Sequence, residues 1–311
     1  MKETRISKLL QIDYPIVQGG MLWLATARLA AAVSNAGGLG VVSPYAGMDR
    51  EGDSLEWFTS LLAEIKTLTD RPFGVNIPLD IDLAGVLVAL VLAEKAAVVI
   101  TAAGDPAQYT EALHENGIKV FHVVSSVRQA RHAESCGVDG IVAEGCEAAA
   151  RLGFDEVPLF SLVPQIVDAV KIPVIAAGGI VDGRGIAAAF ALGAEGVQIG
   201  TRFLMTEECI AHPHYKQAIL ACGDTDTVVT CRKLLPRRSL KTPFTKQLLA
   251  MEAAGATVEE LSAFLGYRRA RATQIDGDMA DGEAFCSASA GMIREILPAA
   301  DVMRRLVESY E

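Results

Sequence analysis

Apolar positions in this chain follow two alternating rhythms. Short β-branched runs, each closed by a Gly or Asp turn signal, are followed by longer Ala- and Leu-rich stretches of helical period, the signature of parallel βα units. The spacing predicts eight strands: Pro15 to Gln18, Leu39 to Ser43, Phe73 to Ile77, Ala97 to Thr101, Lys119 to Val124, Gly140 to Glu144, Val174 to Ala177 and Gly196 to Gly200. Helices are expected over Ala25 to Asn35, Leu55 to Thr67, Pro106 to Asn116, Val127 to Cys136, Pro164 to Val170 and Gly183 to Leu192. Eight such units close into an α/β (β/α)8 TIM barrel, which takes about 250 residues. The chain has 311 residues, and strand signals stop between Arg202 and Met279, where a polar helical stretch begins. The expected organisation is therefore a barrel of residues 1–204 and 287–311, with a helical lid region inserted after strand 8 over residues 205–286. A last helix is expected from about Ser287 to Leu306. A doubly wound open sheet is the structural competitor.

Composition narrows the function classes. At 51% hydrophobic and 21% charged residues, with a mean hydropathy of +0.30, the chain has the make-up of a compact globular protein rather than a disordered one. A net charge of −10 is the wrong sign for a nucleic-acid or anionic-membrane surface. The apolar stretch Leu83 to Leu92 is far shorter than the roughly 20 residues that span a bilayer, and reads as a buried helix. Lys2, Glu3, Arg5 and Lys8 stand where an export signal would be apolar, so the expected location is cytoplasmic. The six cysteines show no CxxC or similar metal-ligand spacing, so reduced thiols and no metal are expected.

In a barrel of this kind the chemistry sits where strands end and βα loops begin. Three of those turns are glycine-rich: Gln18-Gly19-Gly20-Met21, Ala177-Gly178-Gly179-Ile180 and Ile199-Gly200-Thr201-Arg202. Any one pair of glycines reads equally as an ordinary turn. Two such turns side by side after strands seven and eight read as a phosphate site. No G-x-G-x-x-G opens a helix behind a strand, so a Rossmann dinucleotide site is unsupported.

At these residues the chain resembles the flavin-dependent nitronate monooxygenase and type II enoyl-[acyl-carrier-protein] reductase family, once called 2-nitropropane dioxygenases. The resemblance runs over most of the chain, through Pro15 to Met21, Phe73 to Ile77, Val142 to Gly145, Ile175 to Ile180 and, most specifically, Ala191 to Leu204. It implies FMN at the strand ends, with Gly19, Gly20, Met21, Asn76, Lys119, Glu144, Gly178, Gly179, Gly200 and Thr201 as its contacts. Enoyl reductases of the family also carry a C-terminal region like Gly255 to Asp278 followed by Phe285 to Gly291. This chain has it, which favours reduction of a small-molecule or carrier-linked acyl thioester with NAD(P)H as co-substrate. A homodimer is compatible with this reading.

The sequence departs from the family after the sixth strand. Family members usually read Glu-Gly-x-Glu-Ala-Gly-Gly-His-x-Gly, with the histidine as the acid or base beside the flavin. Here Arg151 stands in its place, and Ala149 and Ala150 replace both glycines. Arginine can attract an anion or polarise a carbonyl but cannot act as a general base near neutral pH. The catalytic candidates are accordingly Arg151 as polariser and Cys146 as a proton donor, with an inert thiol as the plain alternative for Cys146. Alanine at both positions predicts a stiffer loop that disfavours positive φ.

Of the histidines, the parity of His122 turns it toward a helix if Lys119 faces the barrel, and His114 and His132 fall on surface helices. His212 and His214 open the lid. The lid cluster Arg232, Lys233, Arg237, Arg238 and Lys241 reads as either a solvated face or a phosphate clamp. Two alternatives remain beside the reductase: a nitronate monooxygenase, and a flavin-binding protein that lost its catalysis with the histidine.

Overall fold

The computed structural model describes residues 1–48, 54–94, 96–266 and 268–310. Eleven strands are present among them: β1 (Ile16–Gln18), β2 (Gly40–Val42), β3 (Phe73–Pro78), β4 (Val98–Ala102), β5 (Lys119–Val124), β6 (Gly140–Glu144), β7 (Ala150–Arg151), β8 (Val174–Ala177), β9 (Gly196–Ile199), β10 (Thr227–Thr230) and β11 (Arg237–Leu240). The α-helices are α1 (Arg5–Leu10), α2 (Ala27–Asn35), α3 (Ser54–Leu68), α4 (Ala84–Glu94), α5 (Thr110–Glu115), α6 (Val127–Ser135), α7 (Leu159–Ala169), α8 (Gly183–Ala191), α9 (Thr201–Leu204), α10 (Pro213–Leu220), α11 (Pro243–Ala253), α12 (Val258–Leu265), α13 (Arg269–Gln274) and α14 (Ala299–Tyr310). Their starts follow local chemistry, since Thr26, Ser126 and Asp182 each accept from a first-turn N–H.

Eight strands pair in parallel in the order β1-β9-β8-β6-β5-β4-β3-β2. The ring closes through a bridge from Val17 to Leu39, with Gln18 N donating to Leu39 O at 2.9 Å. The Gln18 side chain extends this seam, its Oε1 accepting from Val41 N at 3.0 Å. The fold is the TIM barrel that the alternation predicts. Alternate residues divide into two cores. Val17, Leu39, Val41, Val98, Ile100, Phe121, Val142, Ile175 and Ala177 fill the interior together with Ile6 and Leu10 of α1. Val75, Val99, Val120, Ala143, Ala176 and Val197 face the surrounding helices.

Three expectations about elements are corrected. The inserted region is not purely helical: β10, β11 and β7 form an antiparallel sheet, and β7 comes from the barrel's own β6–α7 connection. The last helix begins at Ala299 rather than near Ser287, because Gly291 and Pro298 interrupt helical geometry and only a short 3-10 turn forms at Ala290–Met292. The helix expected at Pro164 starts instead at Leu159 and carries Pro164 inside it, the burial of Leu162, Val163 and Ile166 sustaining it. Helix α4 buries one face, with Leu87, Val88 and Val91 inside and Val86 exposed. No described helix is long and apolar enough to cross a membrane.

Candidate active site

The glycine turns all lie at the C-terminal ends of strands, and two contact groups bring them together. In the first, a methyl built on Gly20 would lie 2.6 Å from Asn76 Cβ, and one on Gly19 would lie 3.3 Å from Gln198 Cγ. The β1 turn therefore rests directly on residues of β3 and β9. Met21 holds this turn through its carbonyl, which accepts from Leu24 N and Ala25 N. In the second group, Gly178 and Gly179 adopt left-handed φ of 104° and 72°, a conformation that favours glycine. Their neighbours are Gly145 O at 3.0 Å and Glu147 Cβ at 3.0 Å from the corresponding methyl positions. Gly200, at the N-cap of α9, differs: a methyl there would meet nothing within 4 Å, so the backbone borders open space.

The segment after the inserted region closes over this second group. Ser287 N donates to Thr201 Oγ1 (3.1 Å), Ala288 N to Glu147 O (2.9 Å) and Ser289 Oγ to Gly179 O (2.6 Å). Two buried acceptors here, Gln198 Oε1 and Ser287 Oγ, have no hydrogen-bond partner among the described residues. Orphaned buried polar atoms are costly, and a polar ligand relieves that cost. With the open space at Gly200, they fit a group that carries a phosphate and a polar ring edge, as FMN does.

Alternation turns Asn76, Glu144 and Gln198 toward the barrel axis near its mouth. Asn76 Nδ2 donates to Ile100 O at 3.3 Å, leaving its oxygen available. Glu144 sits at the end of β6, where desolvation pushes its carboxyl up to about 8.

The β6–α7 connection is held from three sides. Cys146 N donates to Val157 O at 3.0 Å, its carbonyl accepts from Arg238 Nε at 3.0 Å, and the Glu147 carboxylate accepts from Leu159 N. Burial and the charge of Glu147 raise the Cys146 thiol, so it holds its proton. The expectation that alanine would disfavour positive φ here is corrected. Ala150 adopts φ 61°, held there by pairing with Arg238 in the β7–β11 ladder. Arg151 is fixed by Asp80 from the β3 end, with Nη2–Oδ2 of 2.6 Å and Nη1–Oδ1 of 3.3 Å. The two connections are thus linked across the mouth by a bidentate ion pair.

Lys119 is the one expected contact that the fold does not bring to the mouth. It is the first residue of β5, at the opposite end of the barrel, where its Nζ lies 3.1 Å from Asp139 Oδ1. His122 is buried on the helix side, bonded through Nδ1 to Thr101 Oγ1 (2.7 Å), and burial lowers it to about 4. His212 caps α10, accepting from His214 N, and Gly277 packs against its ring. The lid cations are mostly committed internally: Arg232 binds Glu156, Arg237 binds Glu283 and Arg238 binds Cys146 O and Thr227. Sequence reasoning missed Gln198, Asp80 and Ser287. A polar residue at an inward position between Gly196 and Gly200 was the readable signal for Gln198. Asp80 and Ser287 carry no local signal.

A closed parallel barrel with glycine turns and polar axial residues at its C-terminal mouth is the build of a barrel that takes its ligand at the strand ends. The family model for nitronate monooxygenase matches residues 3–86 and 83–309, and the chain belongs to that family, whose enzymes are FMN-dependent oxidoreductases. The solved structure of FabK from Thermotoga maritima is 42% identical, with a TM-score of 0.92 over 100% of this chain and 96% of that one. The (3aS,4S,5R,7aS)-5-hydroxy-7a-methyl-1-oxo-octahydro-1H-indene-4-carboxyl-CoA dehydrogenase of Rhodococcus jostii is 38% identical over 79% of this chain and 67% of its own length. A probable nitronate monooxygenase of Staphylococcus saprophyticus is also 38% identical, over 73% of this chain and 75% of its own.

Proposed function

We propose that this chain is an FMN-dependent reductase of 2-enoyl thioesters that draws its electrons from NAD(P)H. The carrying observation is Arg151, a permanently charged donor fork at the mouth where the family places a histidine base. FMN at this mouth supplies the two-electron redox chemistry. Gly178, Gly179, Gly200 and Thr201 would hold its phosphate, while Gly19, Gly20, Met21, Asn76 and Gln198 would orient the ring. Glu144, whose carboxyl desolvation pushes up to about 8, would be a further contact of the cofactor. Arg151 draws the electron-rich thioester carbonyl to the mouth, exchanging part of its pairing with Asp80 for the substrate oxygen. The protonated Cys146 thiol stands on the same connection as a proton source. The relative named for a carboxyl-CoA compound supports a thioester substrate.

Nitronate oxidation is the second reading, favoured by the name of the staphylococcal relative. Anaerobic absorbance separates the readings. Bleaching of the flavin by NADPH and its return on adding an enoyl-CoA support the reductase, bleaching by a nitronate alone supports the monooxygenase, and a flavin reduced by neither is only bound. Arg151→Ala should lower kcat/KM for enoyl-CoA reduction. Because a missing acid–base group costs about 10² to 10⁴-fold, Arg151→His should raise nitronate turnover. Reduction untouched by Arg151→Ala overturns the role of Arg151.

A further inference from the structure

Asp105, His132 and Cys136 converge between the β4–α5 turn and α6, and none of them is among the residues assigned to the cofactor or substrate. His132 and Cys136 are four residues apart on α6 and its C-cap, and Cys136 keeps helical backbone angles, so both side chains leave one face. Asp105 is delivered from the turn after β4, where Ala103 and Gly104 adopt left-handed φ of 54° and 59°. His132 Nε2 lies 3.0 Å from Asp105 Oδ1 and 3.6 Å from Cys136 Sγ, and Sγ lies 3.9 Å from Oδ1. Asp105 Oδ1 also accepts from Ala107 N at 3.0 Å, which holds the carboxylate toward the triangle.

These edges are close to those of a tetrahedron. Bonds of about 2.3 Å to sulfur and about 2.0–2.2 Å to nitrogen and oxygen, at tetrahedral angles, separate the ligand atoms by about 3.4–3.6 Å. Shifts of a few tenths of an ångström in two exposed side chains and a half-buried one convert the observed triangle into that face. A Cys–His–Asp catalytic relay does not account for the arrangement. A relay uses the two imidazole nitrogens separately, one for the thiol and one for the carboxylate, whereas here both partners meet the same Nε2.

We infer that Asp105, His132 and Cys136 form a binding site for a borderline-soft divalent cation such as zinc, with the fourth position open to water. Thiolate, imidazole and carboxylate are the donor set that such a cation takes, and the two anionic donors balance its charge. Binding breaks the Cys136 S–H bond, forms the metal–sulfur bond and releases the proton to solvent. The ion would clip α6 to the β4–α5 turn and stabilise the folded chain by mass action. The site does not depend on which reaction the barrel mouth performs.

Cobalt(II) is the direct probe, because a tetrahedral site gives intense visible bands to the red of flavin absorption, whereas octahedral cobalt gives faint ones. The full-length flavoprotein, stripped with a chelator and kept reduced without thiols, should develop these bands up to about one equivalent and lose them on adding zinc. Cys136→Ser and His132→Ala, both changes on the outer layer, should each weaken binding at least about tenfold and abolish the tetrahedral spectrum. They should also abolish any zinc-dependent rise in Tm, while flavin content stays unchanged. Absence of cobalt binding at micromolar metal, an octahedral spectrum only, or equal binding by Cys136→Ser would each overturn the assignment.

Discussion

At the mouth, burial sets the state of Glu144 and open space marks Gly200. Glu144 has a carboxyl raised from 4.5 to about 8 by desolvation. Between those two values the folded chain holds a proton that the unfolded chain has lost, so stability falls as pH rises through this window and levels off above it. The Tm of Glu144→Gln apoprotein relative to the unmodified apoprotein should therefore climb from pH 5 to pH 8; a constant difference would show that Glu144 is already ionised. Gly200 is the cleanest probe of the phosphate cradle, because its φ of −102° suits any residue and its methyl position is open. Gly200→Val should weaken FMN binding by at least about tenfold while leaving apoprotein unfolding nearly unchanged. Full flavin retention would move the phosphate elsewhere. The same change at Gly178 or Gly179 would confound the two effects, since their left-handed φ is itself strained for a β-branched residue.

Elements that combine distant segments are where local reading failed. Strand β7 is two residues long, and β11 begins with Arg237 and Arg238, so neither shows an apolar alternation. They become strands because the ladder between them, Arg237 with Arg151 and Arg238 with Ala150, gives their backbone groups partners. Beneath this sheet Arg237 Nη1 bonds Glu283 Oε2 at 2.9 Å, and burial pushes the Glu283 carboxyl up despite that partner. Breaking a buried pair from one side typically costs about 3–5 kcal/mol. Arg237→Met should lower stability by that order in urea unfolding, and Arg237→Met with Glu283→Leu should recover much of it. Equal stability of the single variant would show that the pair adds nothing net to folding. By contrast, the helix starts at Val127 and Gly183 fall where the sequence places them, each after a capping side chain that is a local device, whereas the start expected at Ala25 falls at Ala27, behind the Thr26 cap.

Over the whole molecule, closure of the barrel rests on a narrow seam. Strands β1 and β2 meet through one bridge, and the Gln18 side chain supplies the acceptor for Val41 N that a longer β1 would supply from its backbone. Gln18→Leu should leave that N–H buried and unpaired and cost about 1–3 kcal/mol, measured by urea unfolding; no loss would show that the seam closes without it. The parallel strands themselves were determined by the sequence alone, because a β-branched run and a following amphipathic stretch are legible within a few residues. The glycine turns were legible for the same reason, each being a demand that one strand end makes on its own backbone. The strand bounds already set Lys119 at the start of β5, away from the strand ends that form the mouth, and the tertiary structure alone supplied its pairing with Asp139. It alone joined Arg151 to Asp80, turned Gln198 and Glu144 into one wall, and gathered Asp105, His132 and Cys136 between the β4–α5 turn and α6. Contacts of that kind depend on how the ring of strands closes and how the helices pack around it, and no local run of residues encodes that geometry.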